Sequence, residues 1–210
     1  DALLALVPGG AYAEYALVNA DEVLAKPASW SWAQAASVPE AWLTAWLNLI
    51  EVGQLQAGQT VLIHAGASGV GAAAIQLARW RGATVVATCG SAEKVAFCQQ
   101  LGAQQVVNYH EAAFADTVRA LGRADLVLDC IGGSYLDAHL SCLKTDGKLV
   151  LANSRISEMN RELYRNGMSA YLDVIDAERN MYQSQMEYVN LVAQQYINYV
   201  NLFKALGGGW

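Results

Sequence analysis

The chain has 210 residues, with 13 Lys and Arg against 19 Asp and Glu, a formal net charge of −6, and 54% hydrophobic residues. That length buries a sizeable core as one large domain or two small ones, and the acidic balance argues against a basic face for nucleic acid or anionic lipid. No stretch reaches the roughly 18 charge-free apolar residues of a membrane-spanning helix, so no membrane insertion is expected.

The chain starts at Asp1 with neither an initiator Met nor a charged leader, which reads as a piece of something longer and not as a signal peptide. Cys89, Cys98, Cys130 and Cys142 lie in apolar segments without Cys-x-x-Cys spacing. They are expected as buried free thiols in a reducing cytoplasm. Residues 1–27 read as three short strands, Leu3 to Val7, Ala11 to Val18 and Val23 to Lys26, with turns at Pro8 to Gly10 and Asn19 to Asp21. Ser31 to Val52 reads as one helix.

From Thr60 the text alternates strictly. Strands are expected at Thr60–His64, Thr84–Thr88, Gln105–Val107, Leu126–Cys130 and Lys148–Leu151, with helices to about Arg81 and over Ala92–Leu101, Glu111–Leu121 and Tyr135–Leu143. Short strands alternating with helices of about ten residues predict a doubly wound α/β domain with right-handed crossovers. The expected order of its parallel strands is 3-2-1-4-5, with the ligand over their carboxyl ends.

Between the first strand and its helix lies a glycine cluster, Gly66, Gly69 and Gly71. Glycines turn the chain sharply and let a ligand approach the backbone. The helix start then offers unpaired N–H groups and a positive dipole end to a pyrophosphate. A tight strand–helix turn without a ligand would look the same, so the residues further on decide. At the end of the second strand an acidic side chain would bind a ribose 2′-hydroxyl and select NAD. Cys89 stands there instead, followed by Ser91 and Lys94, a hydroxyl and a cation suited to a 2′-phosphate. NADPH is therefore the expected cofactor, although Ser91 is equally a good helix cap with Lys94 solvated.

Gly10-Ala-Tyr-Ala-Glu-Tyr15, Pro39-Glu-Ala-Trp-Leu-Thr-Ala45, Ile63-His-Ala-Gly-Ala-Ser-Gly-Val-Gly71, Asn108-Tyr109 and Leu128-Asp-Cys-Ile-Gly-Gly-Ser-Tyr135 together resemble a zeta-crystallin-type NADPH:quinone oxidoreductase of the medium-chain dehydrogenase/reductase superfamily. The resemblance covers about residues 1–151. It implies that Ser68, Gly69, Val70 and Gly71 hold the pyrophosphate, with Ser68 replacing the middle glycine of the generic fingerprint. It also implies Ser91 and Lys94 on the 2′-phosphate, Tyr109 over the adenine side, and Ile131, Gly132 and Gly133 beside the nicotinamide ribose. Thr44 would lie near the nicotinamide. A half-exposed strand-end aromatic is an equal reading of Tyr109, and a helix-buried hydroxyl of Thr44.

Zinc enzymes share that superfamily. Where one of their ligand cysteines sits, four residues before Thr44, this chain has Glu40, and His64, His110 and His139 fall in different elements without ligand spacing. The zinc-independent branch is expected, in which hydride passes directly from NADPH to a small-molecule quinone. No Ser/His/Asp or paired-carboxylate set supports hydrolysis.

After about Leu151 the composition turns rich in Tyr, Asn, Gln and Met. The segment from Tyr164 to Ala177 resembles the periplasmic hairpin tip of TolC-type outer-membrane efflux channels, and Leu202 to Trp210 their terminus. From Tyr182 apolar residues alternate at spacings of four and three, as in a coiled coil. Asp173 and Asp176 would match that family's acidic ring, or are ordinary carboxylates at a helix start.

The expected division is a catalytic-domain remnant at 1–27, the NADPH-binding domain at 28–151 and a helical tail at 152–210. Two joined families imply a chimera. They leave, beside the reductase, the alternative of a helical interaction or transport element carrying the nucleotide fold as passenger. A homo-oligomer through the sheet edge or the tail is a further expectation.

Overall fold

The computed structural model describes residues 1–7, 10–11, 13–132 and 135–152. The tail with its efflux-channel resemblance and coiled-coil spacing, and Gly133 of the nominated site, lie outside the described residues.

The amino-terminal segment forms a two-stranded antiparallel ribbon, β1 (Leu3–Ala5) against β2 (Val23–Ala25), with Leu4 facing Leu24. The strand expected over Ala11 to Val18 is not formed among the described residues. Tyr15 and Leu17 are almost fully exposed, and alternating apolar residues make a strand only where a neighbouring strand takes up their backbone groups. Asn19 instead caps a single helical turn, Ala20–Glu22.

The helix expected from Ser31 to Val52 is broken in two. Ser31 caps α1 (Trp32–Ala36) in a reciprocal box with Gln34. Pro39 has no N–H to continue that ladder, so a new helix starts, α2 (Val38–Trp46), with the proline in its first turn. A wider turn, Leu47–Val52, carries α2 on to Gly53.

The remainder alternates as the sequence predicts. The elements are β3 (Thr60–Ile63), α3 (Gly69–Trp80), β4 (Thr84–Cys89), α4 (Ala92–Leu101), β5 (Gln105–Asn108), α5 (Phe114–Ala120), β6 (Ala124–Asp129), α6 (Leu136–Cys142) and β7 (Leu143–Leu151). The helix α5 starts three residues later than expected because Asn108 folds 108–111 into a turn, accepting from the N–H of His110 through its side chain and from that of Glu111 through its carbonyl. The sheet is parallel in the order β5-β4-β3-β6-β7, which is 3-2-1-4-5 counted over the parallel strands.

Side-chain alternation along β3 builds a core on each face. Val61 and Ile63 pack with Val85, Ala87, Leu126 and Leu128 under the apolar faces of α2 and α3, including Ala45, Leu49, Ala74 and Ile75. Leu62 joins Val86, Val107 and Val127 on the other face, under Phe114, Ala115 and Val118 of α5 and Cys142 of α6. The chain changes face between β5 and β6, so β3 and β6, adjacent in the sheet, feed loops that diverge. That switch point, at their carboxyl ends, is where doubly wound sheets take ligands.

Candidate dinucleotide cradle

Beyond β3 the chain runs through His64 into Ala65, whose φ of 50° is left-handed. This turn sets the Ala65 carbonyl against the first turn of α3, where a β-carbon on Gly71 would collide with it. A β-carbon on Gly66 would meet Ala87 Cβ at 2.9 Å and Cys98 Sγ at 3.0 Å. Both glycines are thus demanded by packing. Gly69 differs: the nearest atom to a β-carbon there is Ala41 Cβ, 3.8 Å away on α2. Its outer side is open.

Ser68, in place of the middle fingerprint glycine, caps α3. Its Oγ accepts from Gly71 N at 3.0 Å and its carbonyl from Ala72 N at 2.8 Å. Among the described residues no acceptor meets the N–H of Gly69 or Val70. Two free backbone donors, the Ser68 hydroxyl and the positive end of a twelve-residue helix therefore sit side by side at the start of α3. Thr44, half-buried, lies one turn along α2 from Ala41 and shares its face towards Gly69. The Thr44 carbonyl accepts from Asn48 Nδ2 at 2.8 Å.

At the end of β4 lie Ser91 and Lys94 in the first turn of α4, and Tyr109, from the end of β5, packs against the adjoining Gly90. Ser91 caps α4, its Oγ accepting from Lys94 N at 3.3 Å, while the Lys94 side chain is exposed. Tyr109 N donates to the Cys89 carbonyl at 3.0 Å, and the Tyr109 ring lies across Gly90 with its hydroxyl where a side chain at 90 would be. Ser91 therefore serves as a cap and still has a hydroxyl hydrogen to give, so the two readings of this residue coexist.

The far wall is the loop after β6. Asp129 Oδ1 accepts from the N–H of Ile131 at 2.8 Å and of Gly132 at 3.0 Å, and Gly132 has a φ of 72°. Cys130 donates its thiol to the His64 carbonyl at 3.4 Å, which ties this wall to the cradle. The Ile131 side chain is half exposed beside them.

Beneath the cradle lies a cluster that the sequence reading missed. His64 Nδ1 is 2.9 Å from Thr88 Oγ1, and His64 Nε2 is 2.8 Å from His139 Nε2. His139 Nδ1 faces Asp129 Oδ2 at 3.8 Å. Both imidazoles are wholly buried, walled by Phe114 and Tyr135. Burial pushes the His64 pKa down to about 4, helped by His139 and opposed by Asp129, and burial lowers that of His139 as well.

His64 and His139 do lie in different elements, as expected, His64 after β3 and His139 on α6, yet the fold brings their rings into contact. The strand order already contained the signal. One residue beyond the pairings Ile63↔Ala87 and Ile63↔Leu128, residues 64, 88 and 129 must share a rung on the α5–α6 face. Among the described residues no three His, Cys, Asp or Glu side chains are grouped to hold a metal ion.

A cleft of about 730 Å³ opens at the other end of the sheet, lined by residues that include Gln54, Asp125, Lys144 and Lys148. Its lysines are engaged, Lys144 with Asp125 and Lys148 with Gln54, and it lies at the amino ends of β3 and β6.

The family model for zinc-binding dehydrogenases matches residues 69–199, more than half of the chain. The chain belongs to that family. Its superfamily is the medium-chain dehydrogenases/reductases. The quinone oxidoreductase of Thermus thermophilus, also solved in complex with NADPH, superposes with a TM-score of 0.65 at 37% identity over 70% of this chain and 48% of its own. The JamJ enoyl reductase superposes at 0.59 with 29% identity, over 70% of this chain and 51% of its own. A highly reducing polyketide synthase of Emericella nidulans is 39% identical over 178 residues, 82% of this chain and 7% of that protein. The chain thus spans about half the length of the solved relatives and a small part of the curated one. No helix among the described residues is long and apolar enough to cross a membrane.

Proposed function

We propose that this chain is the NADPH-binding portion of a zinc-independent reductase that delivers hydride to a quinone. The observation that carries the reading is the pair of unpartnered N–H groups, Gly69 and Val70, at the switch point of the sheet, with open space outside Gly69. The residues fit a dinucleotide. Gly71 and Gly66 allow the close packing that sets the helix start, and Gly69 leaves room for a pyrophosphate between α3 and the ligand's path. The missing acid at Cys89, with Ser91, Lys94 and Tyr109 around Gly90, suits a 2′-phosphate.

When bound, NADPH supplies the hydride. Gly69 N, Val70 N and the Ser68 hydroxyl would hold its pyrophosphate, Ser91 and Lys94 its 2′-phosphate, and Tyr109 would cover the adenosine end. Ile131, Gly132 and Gly133 would border the nicotinamide ribose, and Thr44 would approach the nicotinamide from α2. Their work is binding, orientation and exclusion of water.

The likeness to a quinone oxidoreductase solved with NADPH supports the acceptor and the cofactor. A second reading, reduction of an enoyl group, draws on the identity to a polyketide synthase and the JamJ enoyl reductase. Both acceptors are electron-poor conjugated systems, so one cradle serves either. The family match continues to residue 199, which favours a reductase over a helical interaction or transport element.

Calorimetric titration with NADPH and NADH tests the cofactor, with tighter NADPH binding expected; equal affinities or no binding remove the reading. Decay of NADPH absorbance with a benzoquinone against an enoyl thioester then ranks the acceptors.

A further inference from the structure

We propose that His139 is a positioning residue. With His64 and Thr88 it forms a one-directional hydrogen-bonded chain that steadies the Asp129 carboxylate on the N–H groups of Ile131 and Gly132, and so fixes the loop facing the nicotinamide end of the dinucleotide. The last clause rests on the NADPH reading; the chain itself does not.

The proton positions follow from counting donors and acceptors. The two Nε2 atoms of His64 and His139, 2.8 Å apart, share one hydrogen. If His139 carried it, His139 Nδ1 would be a bare lone pair, fully buried, with no partner but a carboxylate oxygen 3.8 Å away. Lone pair would then face anion in a medium of low dielectric. The reverse arrangement makes both short links and removes that clash, with His139 Nδ1–H facing the carboxylate at 3.8 Å, longer than a hydrogen bond. Thr88 donates its hydroxyl hydrogen to His64 Nδ1, His64 donates from Nε2 to His139 Nε2, and His139 turns an Nδ1–H towards Asp129 Oδ2.

The chain therefore ends on the carboxylate whose other oxygen receives the two loop N–H groups. Removing the His139 donor takes away the buried N–H that faces Asp129 Oδ2. The other titratable groups packed there are Cys142, whose thiol donates to the His139 carbonyl at 3.3 Å, Cys130, whose thiol donates to the His64 carbonyl, and Tyr135, whose ring stands 6.1 Å from that of His139. None of them is recorded in a hydrogen bond to an imidazole nitrogen.

The test has two arms on the full 210-residue chain. Long-range ¹H–¹⁵N spectra near neutral pH read the tautomers. His64 protonated on Nε2 and His139 on Nδ1 are expected, with reversal of the chain in Asp129→Asn. The opposite assignment in the unaltered protein overturns the chain.

The second arm compares binding of NADPH with that of adenosine 2′,5′-bisphosphate, which lacks the nicotinamide half. His139→Leu is expected to weaken NADPH about tenfold, through loss of a buried N–H dipole that faces a carboxylate in a medium of low dielectric, and to leave the bisphosphate unchanged. His139→Asn, whose amide nitrogen falls where Nδ1 was, restores NADPH. His139→Gln, which reaches the Nε2 position instead, does not. Equal weakening of both ligands, or of neither, overturns the positioning role. If the unaltered chain binds neither ligand, the dinucleotide reading and the loop's role fall together, while the spectra still decide the chain.

Discussion

The carbonyl oxygen of Ala65 fills the place that a β-carbon on Gly71 would need. Strand end and helix start are therefore in backbone contact, which is what aims the N–H groups of Gly69 and Val70 across the carboxyl edge of the sheet. Ala65 accepts a left-handed φ of 50° to make the turn, a conformation costing a residue with a β-carbon roughly 1–2 kcal/mol.

Gly71→Ala is accordingly expected to destabilise the fold by at least about 2 kcal/mol, because the colliding atom is backbone and must move with the strand or the helix. Urea unfolding would report it as a lower midpoint with an unchanged slope. A midpoint within error of the parent's would contradict the packing described for this turn.

Gly69→Ala should behave in the opposite way. The added methyl meets only Ala41 Cβ, at 3.8 Å, so stability should hold within about 0.5 kcal/mol. The same methyl enters the space assigned to the pyrophosphate, and NADPH affinity should fall about tenfold or more. Full-strength NADPH binding by a stably folded Gly69→Ala protein would move the ligand away from this turn.

Much of this was legible in the sequence. Continuous apolar runs such as Val61 to Ile63, separated by glycines and ten-residue helical stretches, point to a parallel sheet because its central strands are buried on both faces. Ser91 was readable as a helix cap, whereas the turn at Asn108, which delays α5, and the capping role of Ser68 came only with the structure. The Ala11 to Val18 strand was not legible either, since its fate depends on a pairing partner and not on its own alternation. The break at Ser37 hid behind good helix formers on either side of Pro39. The cluster of His64, Thr88, Asp129 and His139 was missed because its members are far apart in the chain. Their shared rung appears only once strand order and register are applied together.

Lys94→Ala should lower the preference for NADPH over NADH about tenfold while leaving NADH affinity unchanged. The side chain is solvated, so the effect should shrink as salt rises and screens the phosphate. Ser91→Ala is a harsher change, because it also removes the α4 cap that accepts from Lys94 N, worth about 1 kcal/mol. Calorimetry with both dinucleotides at low and moderate salt separates the two. A preference that survives Lys94→Ala intact would assign the phosphate to another cation.

The buried imidazole pair should make stability depend on pH in a defined window. His64 is held neutral in the fold, its pKa lowered to about 4 by burial first and by His139 second, against the opposing pull of Asp129. Unfolded, it takes up a proton near 6.5. Between those values the unfolded chain binds more protons than the folded one, so acid favours unfolding. The contribution is complete above pH 6.5, is lost progressively as pH falls towards 4, and is flat below. It amounts to on the order of 3 kcal/mol, and His139, also lowered, acts in the same direction. Urea midpoints from pH 7.5 to 5 should therefore fall more steeply for the parent than for His64→Gln, whatever the absolute stability of the variant. Parallel profiles would mean that the unfolded and folded chains titrate alike at this position, which an imidazole wholly withdrawn from water does not allow.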